Sequence, residues 1–296
     1  MADRFVLSGP ASRELGESVA AKLKFPILSC DFKAFPDSET RFRIDEKVSG
    51  STIFVIQSTY PPTDQHIMQL LLISHHLSQE GAKVHGVIPY LAYARQDKQF
   101  LPGEVISLGV VSHLLRSAGL KRITTVDIHS AEGLSLFSIP IYSVSAVPAL
   151  VDYVKRKIRL NDVAVVAPDF GGSKRSEAFA AVYGAKYLQL SKTRDRVTGD
   201  VKMEASKLDV KGMDVIIFDD IISSGGTVRA AAGLLRDAGA SKIVAVCTHP
   251  LLVGDAEAKL KQAGVSEVVG TNTVPSKASK VDVTDAIASH LRTLAE

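Results

Sequence analysis

The sequence predicts an α/β protein in which mostly parallel sheets are covered by helices on both faces. Short runs rich in β-branched residues, such as 51–57 and 83–89, alternate with longer segments whose apolar residues recur at helical spacing. Glycines close several of these longer segments, as Gly81 and Gly119 do. Strands that alternate with helices in this way form parallel sheets that are buried on both sides.

The predicted elements follow one another in regular order. The strands are 51–57, 83–89, 122–127, 163–168, 185–190, 214–220 and 242–248, and the helices are 64–81, 105–119, 146–158, 173–183, 225–239 and 281–294. A chain of 296 residues exceeds the usual length of one domain, and the pattern divides into two similar halves near 141–146. We therefore predict two domains, 1–143 and 144–296, with the last helix able to pack back on the first.

The composition narrows the class of protein. The net charge is only +3, and the basic and acidic side chains are interspersed, unlike the patches that bind nucleic acid or membranes. The two cysteines, Cys30 and Cys247, lack the spacing of metal ligands. The N-terminus does not resemble a signal peptide, and no apolar run approaches the roughly 20 residues that span a bilayer. We expect a soluble, cytoplasmic protein.

The segment 218–227, FDDIISSGGT, carries the strongest chemical signal. A hydrophobic strand leads into Asp219 and Asp220, which can accept hydrogen bonds from neighbouring sugar hydroxyls. A loop of small and hydroxyl residues then opens a helix, whose free N–H groups favour a phosphate. The loop residues are Ser223, Ser224, Gly225, Gly226 and Thr227. The segment predicts a site for a phosphorylated ribose, and an ordinary strand–turn–helix with a capping serine is the alternative.

This segment resembles the fingerprint of the type I phosphoribosyltransferases and their relatives. The resemblance implies that 219–227 binds ribose 5-phosphate and that both predicted domains are of the phosphoribosyltransferase type. Three further segments resemble, more specifically, the ribose-phosphate pyrophosphokinases. They are 35–39 (FPDSE), 93–97 (YARQD) and 126–130 (VDIHS).

The resemblance assigns ATP-binding roles within these three segments. The first looks like a nucleotide-binding hairpin, which implies that Phe35 packs on adenine and that Asp37 and Glu39 read its edge. The family usually has glycine where this chain has Ser38. Each segment could instead be ordinary, since Pro-Asp-Ser is typical of turns and RQD of surface ion pairs.

The other two segments imply contacts with the phosphates of ATP and its metal. Arg95 would meet the phosphates, while Gln96 and Asp97 would lie near the nucleotide. His129 would contact Mg-ATP, and Asp127 could help to hold the metal or its waters.

Two more loops resemble parts of the same family. The segment 169–175, DFGGSKR, is similar to the family's pyrophosphate loop, in which Gly171 and Gly172 would offer backbone N–H groups. Asp169 is a candidate Mg²⁺ ligand there. Arg175 is either a phosphate contact or part of a structural ion pair, and the sequence leaves both open.

The segment 192–196, KTRDR, is similar to the family's mobile catalytic loop. The resemblance implies that Lys192 and Arg194 stabilise the transition state. Composition alone would favour a solvated basic loop.

The resemblance implies an enzyme that transfers pyrophosphate from Mg-ATP to the C1 hydroxyl of ribose 5-phosphate, giving 5-phosphoribosyl 1-pyrophosphate and AMP for nucleotide biosynthesis. Mg²⁺ is the implied cofactor, with His129, Asp169 and Asp127 as candidate ligands. In the family the nucleotide-binding hairpin and the ARQD segment meet across a subunit interface. A homodimer at least is therefore implied, and a larger homo-oligomer is open.

Two alternatives differ in class. A phosphoribosyltransferase would share 219–227 but would not need the three ATP-binding segments. A non-catalytic regulatory subunit would resemble the enzyme elsewhere but be disrupted around the catalytic loop. Intact Lys192 and Arg194 argue against that subunit.

Overall fold

A computed structural model describes residues 3–169, 172–194, 201–204 and 209–295, with the backbone alone at 191–194, 201–204 and 295. The chain forms two compact units. One comprises Met1–Ser145 with Val283–Glu296, and the other comprises Ala146–Asp282. The predicted boundary at 143/144 falls at the end of a strand of the first unit, and the last helix belongs to that unit.

The elements of the described residues are as follows. The strands are β1 (Arg4–Ser8), β2 (Asp31–Ala34), β3 (Thr40–Arg43), β4 (Thr52–Ile56), β5 (Lys83–Ile88), β6 (Leu120–Val126), β7 (Ile141–Val144), β8 (Val163–Ala167), β9 (Lys186–Gln189), β10 (Ser191–Arg194), β11 (Val201–Glu204), β12 (Asp214–Ile222), β13 (Lys242–Pro250), β14 (Val265–Thr271) and β15 (Ser279–Val281). The helices are α1 (Arg13–Leu23), α2 (Thr63–Gln79), α3 (Ser107–Ser117), α4 (Val147–Lys157), α5 (Ser173–Tyr183), α6 (Gly226–Asp237), α7 (Ala256–Gln262) and α8 (Thr284–Ala295).

The first unit is built on five parallel strands in the order β1-β4-β5-β6-β7. The inner strands β4 and β5 are covered on both faces, which explains their continuous apolar sequence. Helices α2 and α3 pack against each other and against the inner strands, while α8 packs on α1 and β7. Lys22 of α1 forms an ion pair of 2.6 Å with Asp285 of α8. The C-terminal helix thus completes the first unit.

A hairpin of β2 and β3 accompanies this sheet, and it contains the predicted nucleotide-binding segment. Phe35 N–H donates to Glu39 O (2.8 Å) and Ser38 N–H donates to Phe35 O (3.0 Å). Ser38 lies in the left-handed region, with φ of 74°. This is a three-residue hairpin loop whose last position favours glycine.

Replacing Ser38 with glycine is expected to stabilise the hairpin. A non-glycine residue in the left-handed region costs about 1–2 kcal/mol. Glycine removes this cost, but part of the gain in folding free energy is offset because unfolded glycine has more conformational freedom. Amide hydrogen exchange in 31–43 should slow in Ser38→Gly. The control Asp37→Gly removes the bond that Asp37 Oδ1 accepts from Glu39 N–H (3.1 Å) and should exchange faster. Equal or faster exchange in Ser38→Gly would contradict the strain.

The second unit contains six parallel strands in the order β15-β14-β13-β12-β8-β9. From β8 the chain proceeds to β9 on one side, and β12 then lies on the other side of β8. The strand order therefore reverses between β8 and β12, and ligands bind at the carboxyl ends of strands at such a reversal. Strands β10 and β11 form a separate antiparallel ribbon.

The predicted fold class is confirmed, and every predicted strand and helix is present with small shifts of its ends. One shift affects the site. The prediction ended a strand at 220, with the two acids as its last residues, whereas β12 continues for two residues beyond them to Ile222. The prediction did not include β1, α1, β7, β10, β11, α7, β14 and β15, and β10 shows that residues 192–194 of the expected catalytic loop are part of a strand. None of the helices in the described residues is long and apolar enough to cross a membrane.

Candidate active site

The acid pair lies near the carboxyl end of β12. Neighbouring residues of a strand project to opposite faces, so Asp219 and Asp220 have different surroundings. Asp220 is buried and pairs with Arg175 of α5, with Nη2 2.7 Å from Oδ1. Asp219 is partly buried. Of the two alternatives for Arg175, the structure shows the ion pair.

The loop after β8 meets the acids at the reversal of strand order. Gly172 N–H donates to Asp169 Oδ1 (3.0 Å), and Ser176 Oγ donates to Phe218 O (2.8 Å). A Cβ placed on Gly172 would lie 3.5 Å from Asp219 Oδ1 and 3.8 Å from Asp169 Oδ1. The fold thus brings Asp169, Gly172 and Asp219 together. The N–H of Gly172 is engaged by Asp169, and Gly171 lies outside the described residues.

The electrostatics of this cluster favour a positively charged or hydrogen-bond-donating ligand. Burial raises the pKa of Asp219 well above its ordinary value, and the neighbouring charges of Asp220 and Asp169 raise it further. Sugar hydroxyls or a metal ion beside Asp219 would stabilise its ionised form. Binding of such a ligand should therefore release protons.

Replacing Asp219 with asparagine is expected to stabilise the protein. A carboxyl with a raised pKa holds its proton more tightly when folded, so its effect on stability becomes unfavourable as the pH rises above the unfolded-state pKa. The melting temperature of Asp219→Asn should exceed that of the wild type by a few degrees. The difference should grow as the pH rises from the unfolded-state pKa of the carboxyl toward its raised folded-state pKa, in differential scanning calorimetry.

The control for that measurement is Asp237→Asn, at an exposed acid of α6. Its difference from the wild type should stay nearly constant over the same range of pH. A melting temperature of Asp219→Asn that never exceeds that of the wild type would contradict the raised pKa.

The Ser/Gly loop after β12 is open to a ligand. Helix α6 begins at Gly226, and its N-cap is Gly225, with φ of 72° and no capping side chain. The structure therefore does not show the serine cap of the alternative interpretation. Ser224, Gly226 and Thr227 are exposed, and the N–H groups of a first helical turn have no partner within the helix.

The back of this loop is supported by neighbouring elements. Val253 N–H donates to Ser223 O (3.1 Å). Gly225 is buried, and a Cβ there would lie 3.2 Å from Leu260 of α7. Neighbouring elements thus support the buried side of the loop, while Ser224 and Thr227 are exposed to solvent.

In the first unit, two of the predicted ATP-binding segments follow the neighbouring strands β5 and β6. A Cβ placed on Gly133 would lie 3.4 Å from Asp97 Cβ and 3.7 Å from Ser130 Cβ, so the segments 93–97 and 126–130 approach each other there. Arg95 is exposed, and Gln96 is partly buried, with its side-chain amide donating to Glu104 (3.3 Å). His129 and Asp127 are both partly buried.

The third predicted ATP-binding segment, at the hairpin tip, lies against α2. Glu39 lines a cavity of about 360 Å³ together with Gln65 and Met68 of α2. The Phe35 ring is partly buried, with the Lys33 ammonium 5.0 Å from its centroid. Asp37 is exposed at the tip.

Backbone strain marks the same three segments. Six non-glycine residues in the described part of the chain have positive φ, and three of them are Ser38 (74°), Tyr93 (63°) and Asp127 (36°). Strained backbone is concentrated at functional sites because the surrounding structure must hold it in place. The residue type of Tyr93 gave no sign of this conformation, whereas Asp is one of the residues that adopt it more often.

The predicted catalytic residues belong to the ribbon. Lys192 and Arg194 lie in β10, where they pair with Met203 and Val201 of β11. Their side chains, and residues 195–200, lie outside the described part of the chain.

No group of three or more His, Cys, Asp or Glu side chains within the described residues is placed to hold a metal ion. Mg²⁺ is commonly held by one or two carboxylates together with substrate phosphates and water. The Oδ1 atoms of Asp169 and Asp219, which both lie near Gly172, supply hard oxygen donors of that kind.

Comparison with known proteins identifies the family. Residues 5–119 match the family model of the N-terminal domain of ribose phosphate pyrophosphokinase, and residues 200–293 match that of the phosphoribosyl synthetase-associated domain. The chain is 36% identical over 282 residues to the ribose-phosphate pyrophosphokinase of Sulfurisphaera tokodaii, covering 95% of this chain and 96% of that protein. The chain belongs to the ribose-phosphate pyrophosphokinase family. The predicted membership is confirmed.

Further relatives agree with this membership. The ribose-phosphate pyrophosphokinase of Methanothermobacter thermautotrophicus is 36% identical over 289 residues, covering 97% of this chain and 99% of that protein. The crystal structure of phosphoribosylpyrophosphate synthetase from Mycobacterium smegmatis matches with a TM-score of 0.89 at 30% identity, covering 99% of each chain. The chain is therefore an enzyme, as predicted, and its family implies a transferase that binds ATP and serves nucleotide biosynthesis.

Proposed function

We propose that this ribose-phosphate pyrophosphokinase family member transfers the β,γ-pyrophosphate of Mg-ATP to the C1 hydroxyl of ribose 5-phosphate. The C1 hydroxyl releases its proton to solvent as its oxygen forms a bond to the β-phosphorus, the bond from that phosphorus to the oxygen shared with the α-phosphate breaks, and AMP leaves with that oxygen. The observation that carries the proposal is the acid pair of β12 beside an open Ser/Gly loop, at the reversal of strand order. Such a site suits a sugar with a phosphate at one end.

In this proposal, ribose 5-phosphate is held by β12 and the start of α6. The phosphate binds at the N-terminus of α6, where the helix dipole and unpartnered N–H groups favour an anion. Asp219 and Asp220 accept hydrogen bonds from the ribose hydroxyls. The remaining contacts come from the loop residues, which are Ser223, Ser224, Gly225, Gly226 and Thr227.

ATP is proposed to bind through the first unit. Arg95 and His129 would meet its phosphates, with Gln96 and Asp97 near the nucleotide. The approach of 93–97 to 126–130 beside Gly133 supports this assignment, as does the strain at Tyr93 and Asp127.

The adenine is assigned to the hairpin. Phe35 offers a ring face, and Asp37 and Glu39 offer acceptors for the exocyclic amino group. The accessibility of these side chains supports the assignment: Phe35 is only partly buried and Asp37 and Glu39 are exposed, and a stacking surface must remain accessible before the nucleotide arrives.

The transfer itself is proposed to depend on alignment and on neutralisation of charge. Mg²⁺ would be held through ATP phosphates with Asp169, His129 and Asp127 as candidate protein ligands, and when bound it neutralises negative charge on the phosphate oxygens. Gly171 and Gly172 are proposed to offer backbone N–H groups to the pyrophosphate. Lys192 and Arg194 would stabilise the charge that develops in the transition state.

A second copy of the chain is the proposed partner. Large apolar side chains of α2 and α3 are unusually exposed for a monomer, among them Met68 (53%), Leu72 (42%), Val110 (51%) and Leu114 (40%). If this face is buried in a homodimer, the interface lies next to the hairpin, where the family resemblance implies a contact between subunits. A monomeric mass in analytical ultracentrifugation would contradict it.

The decisive experiment is an AMP-release assay with Mg-ATP, run with and without ribose 5-phosphate. Release of AMP that requires ribose 5-phosphate is expected, with one 5-phosphoribosyl 1-pyrophosphate formed for each AMP. Release of ADP, or no release, would overturn the proposal. Transfer of a phosphoribosyl group to a purine or pyrimidine base would identify the chain as a phosphoribosyltransferase instead.

A further inference from the structure

The loop after β5, which leads into 93–97, is attached to the loop after β4 through hydrogen bonds in which the buried hydroxyl of Thr59 takes part twice. Thr59 Oγ1 donates to Tyr90 O (2.8 Å) and accepts from Ala92 N–H (2.8 Å). Thr59 N–H donates to the same Tyr90 oxygen (2.9 Å). Thr59 is 1% exposed, so water cannot replace these bonds if the hydroxyl is removed.

The neighbouring residue extends this attachment. Ser58 Oγ accepts from Tyr90 N–H (3.0 Å), while Ser58 N–H donates to Ser12 Oγ (2.8 Å). Ser58 is also buried, at 1% exposure. Residues 90–92 are therefore bonded to 58–59 through the N–H groups of Tyr90 and Ala92 and through the carbonyl oxygen of Tyr90.

The last residue in this set of hydrogen bonds, Ala92, is followed directly by a residue with strained backbone. Tyr93 has a φ of 63°, in the left-handed region that costs a non-glycine residue about 1–2 kcal/mol. On its other side, the Tyr93 hydroxyl donates to Asp64 Oδ1 of α2 (2.5 Å). Tyr93 O then accepts from Gln96 N–H (3.0 Å). The strained residue is thus anchored at Ala92 and at its own hydroxyl, and it supports the turn that holds Gln96.

The consequence concerns Arg95. Its side chain is exposed, so the direction in which it projects depends on the backbone of 92–96. If Tyr93 relaxed to negative φ, the chain after it would turn in another direction and Arg95 would project elsewhere. Bonds that keep Tyr93 in the left-handed region therefore fix where Arg95 and Gln96 are presented.

We propose that Thr59 is a positioning residue for ATP, whose hydroxyl holds the loop after β5 so that Arg95 and Gln96 are aligned with the nucleotide phosphates. This inference rests on the proposed function, which assigns 95–97 to ATP. Thr59 does not itself contact the nucleotide. Removal of its hydroxyl should therefore weaken the binding of ATP and leave the binding of ribose 5-phosphate unchanged, because the proposed ribose 5-phosphate site lies in the second unit.

The test compares Thr59→Val with Thr59→Ser. Valine keeps the shape of threonine and removes the hydroxyl, while serine retains the hydroxyl. Thr59→Val should raise the KM for Mg-ATP about tenfold, change kcat less, and leave the KM for ribose 5-phosphate within about twofold. Thr59→Ser should keep the KM for Mg-ATP near that of the wild type.

A matched control separates positioning from general loss of stability. Thr124 of β6 is buried, and its hydroxyl bonds to His85 Nε2 (2.9 Å). Thr124→Val should lower the melting temperature as Thr59→Val does, with both KM values unchanged. A second variant, Tyr93→Phe, removes only a hydroxyl from an exposed side chain, and it should raise the KM for Mg-ATP about threefold.

Several results would overturn the inference. One is a KM for Mg-ATP in Thr59→Val that equals that of the wild type. If Thr59→Val does not fold, the same result in Tyr93→Phe would overturn the inference. Another is an equal rise in both KM values, and a third is failure of Thr59→Ser to retain ATP affinity.

Calorimetry with Mg-ATP separates this inference from the proposed function. If the wild type releases no AMP but binds Mg-ATP, the reaction is wrong, and weaker binding by Thr59→Val would still support the positioning role. A wild type that does not bind Mg-ATP would overturn both.

Discussion

Replacing Lys192 with alanine is expected to lower kcat by about 10²–10³-fold, the usual loss when one group that stabilises transition-state charge is removed. Affinity for ribose 5-phosphate should remain close to that of the wild type, because its proposed contacts come from 219–227. Single-turnover AMP release measures the first effect, and calorimetry with ribose 5-phosphate measures the second.

The control for this prediction is Lys186→Ala. Lys186 is an exposed lysine of β9 in the same unit, and its removal changes the net charge equally. It should leave kcat within about twofold. A normal kcat in Lys192→Ala would exclude the proposed catalytic role, and the solvated basic loop would then be the better interpretation.

Replacing Asp220 with alanine is expected to affect both binding and stability. Affinity for ribose 5-phosphate should fall by about 10–100-fold, since a buried charged acceptor for the sugar hydroxyls is lost. The melting temperature should fall as well, because Arg175 loses the ion pair at 2.7 Å. Removing one partner of a buried pair costs about 3–5 kcal/mol, and the value here should be smaller because the Arg175 side chain is 26% exposed.

Arg175→Gln separates the two effects of that change. It breaks the same ion pair while leaving both acids in place, so it should lower the melting temperature with a smaller loss of ribose 5-phosphate affinity. Equal losses of affinity in Arg175→Gln and Asp220→Ala would show that Asp220 acts only by holding the loop. Unchanged affinity in Asp220→Ala would refute its assignment to the ribose site.

The sheets were predictable where strands are buried on both faces. The runs 53–56 and 215–218 are continuously apolar, and their short length and β-branched residues favour a buried strand over a helix. By contrast, α1 was not predicted, and it carries Gly16 in its interior. A Cβ at Gly16 would lie 2.0 Å from Ser8 Oγ, so close packing on β1 requires a residue that otherwise disfavours a helix.

The site was predictable where chemistry is local in sequence. Asp219, Asp220 and the Ser/Gly loop lie within ten residues, so their proximity does not depend on the fold. The hairpin 35–39 is local in the same sense, and its turn at Ser38 has the form that the segment suggested. The role of each side chain in binding stays a prediction.

The sequence by itself determined the α/β alternation, the acid pair with its Ser/Gly loop and the membership of the family, because each is carried by short runs of neighbouring residues. The tertiary structure decided that Arg175 pairs with Asp220, that the pKa of Asp219 is raised, and that Thr59 holds the loop before a strained Tyr93. Each of these depends on residues that are remote in sequence and meet only where strands lie side by side. The strength of an ion pair or a hydrogen bond depends on the burial of its partners and on the distance between them, and no short segment specifies either.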